Sequence, residues 1–511
     1  MPQLAAVVVA AVMFTVLYDP FHAGTVVFLA LTPITLVLTN KTWECSLLRA
    51  AMFGFIFGLL AALGIVGPWM YSASVDYFDQ GSLWSLGFTV WVNAGYVALL
   101  YAPAFVALRL LAWAPPVVRV FGVASVWITC ETLRAADPAG NAWATLGQSF
   151  AHIPLLREAA AYGGEPLLGW VAALCGAAVG TGLQPDVDAR SSRVCMFIAF
   201  GSPLLLMLLG GVEQWRDPEL SPIQPLRVAV VQAEIPSRDV WDPAQRMANW
   251  NAYISATEGL HPGSVDLVVW PESAAPFLLD ADATSRNRLV ELAKSTGAAI
   301  MLGAPRSEDL GNGRAALYNS VYFFAPGADQ PRTYDKRRLL PYVESSPVTG
   351  SEIPDTSDYR AGESAQWFDV RGWRIAPLIC FEAVYRQYAR EAVLNGASLL
   401  VNLSNDAWFA GGAGPEQHHA MSLMRTVELR RSMVRASNGG ISGAFGPDGK
   451  EIGFPIVRHK AVGLYTIPSP SRRMTIAATL PGLIPGMAGL MAAFSMLYGL
   501  RRRWNARHEE A

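Results

Sequence analysis

The sequence predicts two fold classes in one chain: a multi-helix membrane domain of about eight transmembrane helices, and an α/β domain built on sheet buried on both faces. Two observations carry the first. Of 511 residues, 52% are hydrophobic and only 16% charged, too apolar for an ordinary soluble protein. Apolar runs near 2–18, 23–40, 51–72, 84–108, 116–133, 160–183, 194–212 and 475–500 approach the ~20 residues that a membrane-crossing helix needs. A third observation carries the second class. From Leu226 onward, short β-branched runs alternate with helical stretches, the pattern of strands covered on both sides.

Each element has its own justification. The first two apolar runs are short and share the Tyr18-Asp-Pro-Phe-His22 break. The first lacks a basic leading segment and is followed by further spans, so it is not a signal peptide. Lys41 and Arg49, Arg109 and Arg119, Arg190 and Arg193, and Arg501, Arg502, Arg503 and Arg507 fall in alternate loops or the tail. Under the positive-inside rule both termini are then cytoplasmic and residues 215–474 lie on the outer side; the 134–159 loop, with Arg134 and Arg157, falls outside as the exception. The expected domains are 1–215 (seven helices), 220–470 (catalytic), 474–500 (a last helix) and 501–511 (a cytoplasmic tail).

Several function classes drop out. Net charge is −2 and no basic stripe with interleaved aromatics occurs, so no nucleic-acid partner is expected. Five cysteines give neither a disulfide framework nor paired metal spacing. The adjacent His418 and His419 point in different directions from a helix and lack a third ligand at sensible spacing, so no metal and no cofactor are expected. The membrane half shows no internal repeat, and Glu131 beside Arg134 reads as a structural pair rather than a transport site.

In the α/β half, strands are expected at 227–232, 266–270, 298–302, 317–324, 373–379, 398–403 and 441–445. Helices are expected at 243–258, 283–294, 384–394 and 415–434. Functional residues belong in loops at strand ends, and Glu272, Lys336 and Cys380 all fall there. A thiol is a weak nucleophile until a base takes its proton; Glu272 can take it and later return it. Lys336 can stabilise thiolate and oxyanion. Glu344 and Glu382 can anchor the lysine or raise one another's pKa.

The motifs Val231-Gln-Ala-Glu-Ile-Pro236 with Trp241, Trp270-Pro-Glu272-Ser, Lys336-Arg-Arg-Leu-Leu-Pro-Tyr-Val-Glu344, Ile379-Cys380-Phe-Glu382 and Ser404-Asn-Asp-Ala-Trp408-Phe carry a resemblance. So do Gly414-Pro-Glu-Gln-His418 and Arg435-Ala-Ser-Asn-Gly-Gly-Ile-Ser442. They resemble the nitrilase superfamily, whose members carry a Glu–Lys–Cys triad on an αββα sandwich. With the membrane spans, the whole chain is similar to the membrane-embedded apolipoprotein N-acyltransferases of bacteria. Phe381 stands where that family usually has Tyr, and Arg338 where nitrilase-type chains commonly have His.

The resemblance implies a nitrilase-like αββα sandwich and a ping-pong acyltransferase. Cys380 would take an acyl chain from the sn-1 ester of a phospholipid as a thioester. It would pass the chain to the α-amine of the S-diacylglyceryl cysteine of an apolipoprotein. Trp241, Tyr342, Phe381 and Trp408 are the expected substrate contacts. The expected setting is the bacterial inner membrane, multi-pass, catalytic domain periplasmic, protein monomeric. Two other functions compete: a membrane-tethered amidase or hydrolase that uses water as acceptor, and a catalytically silent lipid-binding module.

Overall fold

The computed structural model describes residues 2–76, 79–136, 140–216, 218–311, 314–340, 343–344, 359–409 and 412–509. The chain divides into two compact units, Met1–Arg216 with Thr475–Ala511, and Asp217–Met474.

The first unit is helical. Four helices are long and apolar enough to cross a membrane: Leu47–Ile65, Pro116–Arg134, Ala189–Trp215 and Leu483–Ala506. Their starts follow local chemistry. Ser46 accepts a hydrogen bond from the Arg49 amide, and Asp188 accepts from the amides of Arg190 and Ser191, each satisfying donors that a helix start leaves free. The last long helix packs on Pro116–Arg134, where Gly122 lets Ser495 approach closely.

Several of the other apolar runs are interrupted by backbone breaks, which hydropathy does not register. The 23–40 run divides into a 3₁₀ turn, Gly24–Leu29, and a short helix, Thr32–Leu38, with Pro33 in its first turn. The 84–108 run changes register through a π-helical turn, Ala94–Ala98, between Ser82–Asn93 and Leu99–Leu110. Helix Ala160–Gly182 kinks at Gly164, where φ is +69, a conformation open to glycine.

Among its described residues the second unit contains twelve strands. They are β1 (Leu226–Gln232), β2 (Leu267–Val269), β3 (Ala299–Gly311), β4 (Arg314–Phe324), β5 (Arg332–Asp335), β6 (Phe368–Val370), β7 (Trp373–Ile379), β8 (Leu399–Asn405), β9 (Ser432–Asn438), β10 (Ile441–Phe445), β11 (Ile456–Val457) and β12 (Ala461–Ile467). They form two six-stranded sheets, ordered β12-β1-β2-β3-β4-β5 and β11-β10-β9-β8-β7-β6. In each sheet three central strands run parallel, β1-β2-β3 and β7-β8-β9, with antiparallel strands outside them.

Helices Arg246–Glu258 and Ala283–Thr296 cover the first sheet. Trp250, Tyr253, Leu289 and Leu292 join Val268, Trp270 and Ile300 in one buried core. Asp282 caps the second of these helices by accepting from the Ser285 amide, and Gly297 ends it at φ +70. Helices Arg386–Leu394 and Gly414–Leu429 cover the second sheet. The inner faces of the sheets meet, joined by the Ser442 Oγ to Gln232 Oε1 bond. The arrangement is the αββα sandwich.

Strands 373–379 and 441–445 lie where expected. The helix expected at 415–434 stops at Leu429, because Arg430 takes a left-handed conformation, φ +51. The chain then forms β9, which is wholly buried. No glycine marks that stop, so the helical pattern reads straight through it.

Gly303 in β3 shows how tightly the sheet supports the segment after β2. A Cβ there would lie 2.5 Å from Glu272 Cα and 2.7 Å from the Ser273 nitrogen. Those neighbours are backbone and cannot swing aside. Gly303→Ala is expected to destabilise the protein by about 1–3 kcal/mol, read as a lower melting temperature. An unchanged melting temperature would show that the segment has slack.

Candidate active site

The site collects at strand ends. Glu272 follows β2, Lys336 follows β5, Cys380 follows β7, and Asn405 with Asp406 ends β8. Strand pairing fixes each one. The Trp270 amide donates to the Met301 carbonyl and the Gly303 amide to the Pro271 carbonyl, so the Trp270-Pro-Glu272 segment runs along β3. The Trp270 indole is anchored by Thr257 Oγ1 at 3.0 Å and stacks on Tyr253. The Lys336 amide donates to the Asn319 carbonyl of β4 at 2.8 Å, which sets the Asn319 and Lys336 side chains side by side.

All three triad candidates are buried and act on one another electrostatically. Lys336 Nζ lies 3.3 Å from Glu272 Oε1 and 2.8 Å from Glu344 Oε2. Asn319 Nδ2 donates to both carboxylates, at 2.7 and 3.0 Å. The second Glu272 oxygen accepts the Asn405 amide at 2.9 Å, and Glu344 Oε2 accepts the Leu340 amide at 2.7 Å. Glu272 is 7% exposed, Lys336 1%, Glu344 8% and Cys380 4%.

Charge in so dry a place moves proton affinities. Burial alone would lower the Lys336 ammonium, but the Glu272 and Glu344 carboxylates outweigh it and hold the lysine well above its ordinary value. Burial pushes the Cys380 thiol up and the Glu272 carboxylate pushes it further, while Lys336 offsets only part. The raised thiol favours the neutral form of Cys380, with the Glu272 carboxylate acting on it, an arrangement suited to base-assisted attack.

Cys380 itself sits at φ +48, in a region rare for residues with a Cβ. Ser273, beside Glu272, has φ +58. Glu382 holds the nucleophile turn. Its carboxylate accepts from the Ile379 amide at 2.7 Å, the Arg337 amide at 2.7 Å, the Arg338 amide at 3.2 Å and the Tyr334 hydroxyl at 2.8 Å. None of these bonds goes to Lys336, whose carboxylate partners are Glu344 and Glu272. Glu382 instead ties the turn at Cys380 to the turn at Lys336. Burial pushes its carboxyl up, and the amides pull it back.

The expected aromatic contacts separate. Phe381 is buried, edge-on to Tyr385, and Arg338 lies over the Tyr385 ring. Trp408 is half-buried and stacked on Phe409. Trp241 is exposed. Tyr342 lies outside the described residues.

Sequence reading missed Asn319 and a buried cluster behind the nucleophile. His418 Nε2 lies 3.1 Å from the Cys380 carbonyl oxygen, and its Nδ1 lies 3.0 Å from Asp406 Oδ1. Arg435 Nη2 lies 2.5 Å from Asp406 Oδ2, and Arg435 also bonds Asn402, whose Nδ2 donates to the Cys380 carbonyl at 3.3 Å. Burial and Arg435 hold the His418 imidazole below its ordinary pKa. Both motifs of this cluster stand in the sequence, but nothing there shows that they meet.

Comparison with known proteins gives the family. Residues 10–178 match the apolipoprotein N-acyltransferase N-terminal domain, and residues 227–473 match the carbon-nitrogen hydrolase domain. The apolipoprotein N-acyltransferase of Pseudomonas aeruginosa is 30% identical over 445 residues, covering 84% of this chain and 83% of that protein. That of Azotobacter vinelandii is 30% identical over 442 residues, covering 84% and 82%. That of Methylococcus capsulatus is 28% identical over 450 residues, covering 85% and 84%. The chain belongs to the apolipoprotein N-acyltransferase family, and it is a membrane protein and an acyltransferase.

Two outcomes follow from the geometry. Glu382→Gln puts an amide NH₂ against backbone donors; hydrogen bonds to a charged acceptor are worth about 1.5–3 kcal/mol, so acyl loading of Cys380 is expected to fall by about tenfold or more. Loading at the native rate would remove Glu382 from the support of the turn. A thiol held high stays protonated through the ordinary cysteine range, so alkylation of Cys380 by iodoacetamide is expected to keep rising past pH ~8.5. A plateau below that pH, followed by mass spectrometry of the Cys380 peptide, would contradict a raised thiol.

Proposed function

We propose that Cys380 carries the acyl group, Glu272 moves the protons and Lys336 stabilises the developing negative charge. The chain N-acylates apolipoproteins in lipoprotein maturation, the activity of its family. The residue assignment rests on one observation above the others: a buried ammonium held between two carboxylates beside a buried thiol in a strained turn.

In the first half-reaction Glu272 takes the Cys380 proton as Sγ attacks the sn-1 ester carbonyl of a phospholipid. Lys336 faces the oxyanion of the tetrahedral intermediate. The carbon–oxygen bond breaks, Glu272 returns the proton to the leaving oxygen, and a lysophospholipid departs from a Cys380 thioester. In the second half, the free α-amine of an S-diacylglyceryl cysteine attacks the thioester carbonyl and loses a proton to Glu272. The carbon–sulfur bond breaks and the thiol is restored. Glu344 keeps Lys336 charged and in place throughout.

Both substrates carry hydrocarbon tails, which fits a catalytic unit joined at both ends to apolar helices. The apolar runs and the distribution of basic residues support about eight passes, with the 217–474 unit on the periplasmic side of the bacterial inner membrane and the protein acting as a monomer. Trp241, Phe381 and Trp408 are the proposed lipid contacts, Trp241 by its exposure and Phe381 by its position next to the nucleophile. The hydrolase alternative keeps the same triad and lets water take the acyl chain; the relatives do not favour it.

Intact-protein mass spectrometry after incubation with a defined phospholipid tests the scheme. An acyl adduct on Cys380 is expected, moving to the α-amine of a diacylated lipopeptide when one is added. Cys380→Ala should abolish the adduct, and Lys336→Ala should prevent its formation. An active Cys380→Ala protein would sink the mechanism, normal loading of Lys336→Ala would remove the lysine's role, and transfer to water alone would favour the hydrolase.

A further inference from the structure

The Tyr18-Asp-Pro-Phe-His22 break in the helical unit has no part in the acyl chemistry, yet it meets a distant histidine. His22 Nδ1 lies 3.1 Å from Asp19 Oδ1. His152, 133 positions beyond Asp19, places Nε2 3.4 Å from Asp19 Oδ2. The three donor atoms lie within 4.8 Å of one another. The imidazole rings meet edge to face at 4.4 Å. Asp19 is buried, while the two histidine side chains are 48% and 38% exposed.

We propose that Asp19, His22 and His152 form a binding site for a divalent cation of the zinc type. The donor set is the first reason. Two imidazole nitrogens with one carboxylate suit zinc, whereas calcium and magnesium call for more oxygen ligands. The spacing is the second. Zinc holds such ligands at about 2.0–2.1 Å, so ligands at tetrahedral corners stand about 3.3 Å apart. The two histidine nitrogens lie at comparable distances, 3.1 and 3.4 Å, from the two different oxygens of Asp19. The third is the backbone: His22 takes φ +52, a left-handed conformation uncommon outside glycine, and this turns its ring toward Asp19.

The half-open imidazoles leave the solvent side for water to complete the coordination shell. A bound ion would tie the break after the first helix to the segment leading into Pro154–Arg157. Because the unfolded chain lacks the site, binding would stabilise this corner of the fold.

The test uses the full-length protein in detergent, without a polyhistidine tag, stripped with chelator and titrated with zinc chloride. Calorimetry and elemental analysis after gel filtration are expected to give close to one equivalent bound at micromolar zinc, with a higher melting temperature. His22→Ala and His152→Ala are each expected to weaken binding by about tenfold or more. Wild-type protein that retains no zinc, or binding that persists in both histidine variants, would overturn the proposal. Asp19 is buried and its replacement risks the fold, so the two exposed histidines carry the test.

Discussion

One ammonium between two carboxylates organises the catalytic half of this protein. Lys336 is almost wholly buried, and an isolated buried cation is prohibitively costly. Glu272 and Glu344, both within 3.3 Å, change that. At an effective dielectric constant near 20, each such contact is worth on the order of 5 kcal/mol. Two carboxylates and one ammonium still leave an excess negative charge, which Asn319 and the amides of Asn405 and Leu340 help to satisfy. Remove the lysine, and two buried carboxylates face each other unpaired. The surrounding turns must therefore close in register, and that requirement brings β2, β4, β5 and β8 to one point.

The same excess charge explains why the thiol rests protonated. A thiolate formed beside Glu272 with no proton transfer would add a second uncompensated negative charge. Transfer from Cys380 to Glu272 moves the charge without creating one, so the total within the pocket is unchanged. A preformed ammonium then faces the sulfur and, next, the oxyanion. Such electrostatic preorganisation works through dipoles and charges already in place. The bonds of Glu382 to three backbone amides and the contacts of His418 and Asn402 with the Cys380 carbonyl hold the strained turn that aims the sulfur.

Much of this was legible in the sequence, and the limits are physical. Strand 373–379 is apolar and ends at a lone cysteine, so the apolar run together with the family motifs placed Cys380 at a strand end. Glu272 and Lys336 were placed at strand ends the same way. Glu382 was singled out by its spacing from Cys380, but spacing along a chain does not say which way a side chain turns, and its bonds go to backbone amides and Tyr334. Asn319 carries no signature of its own, and the Asp406 motif does not show what it meets; only the pairing of β4 with β5 and of β8 with β9 reveals what they touch. Arg430 hid a helix end behind an ordinary residue. In the membrane half, hydropathy saw apolar length but not the turn at Gly24–Leu29 or the kink at Gly164.

Burial of the triad also bears on the choice between amine and water as acceptor. A thioester is open to both, and water is far more abundant. In the proposed mechanism, a site whose Cys380, Glu272 and Lys336 are all less than a tenth exposed limits bulk water at the acyl carbon, as closed active sites do. An amine delivered on its own lipid tails arrives by binding rather than by abundance, already held near the thioester, and proximity of that kind can supply several kcal/mol of the barrier. Glu272, freed of its proton when the lysophospholipid leaves, is then the base the incoming amine needs. A dry pocket and a reusable carboxylate together favour transfer over hydrolysis, and both come from the buried charges around Lys336.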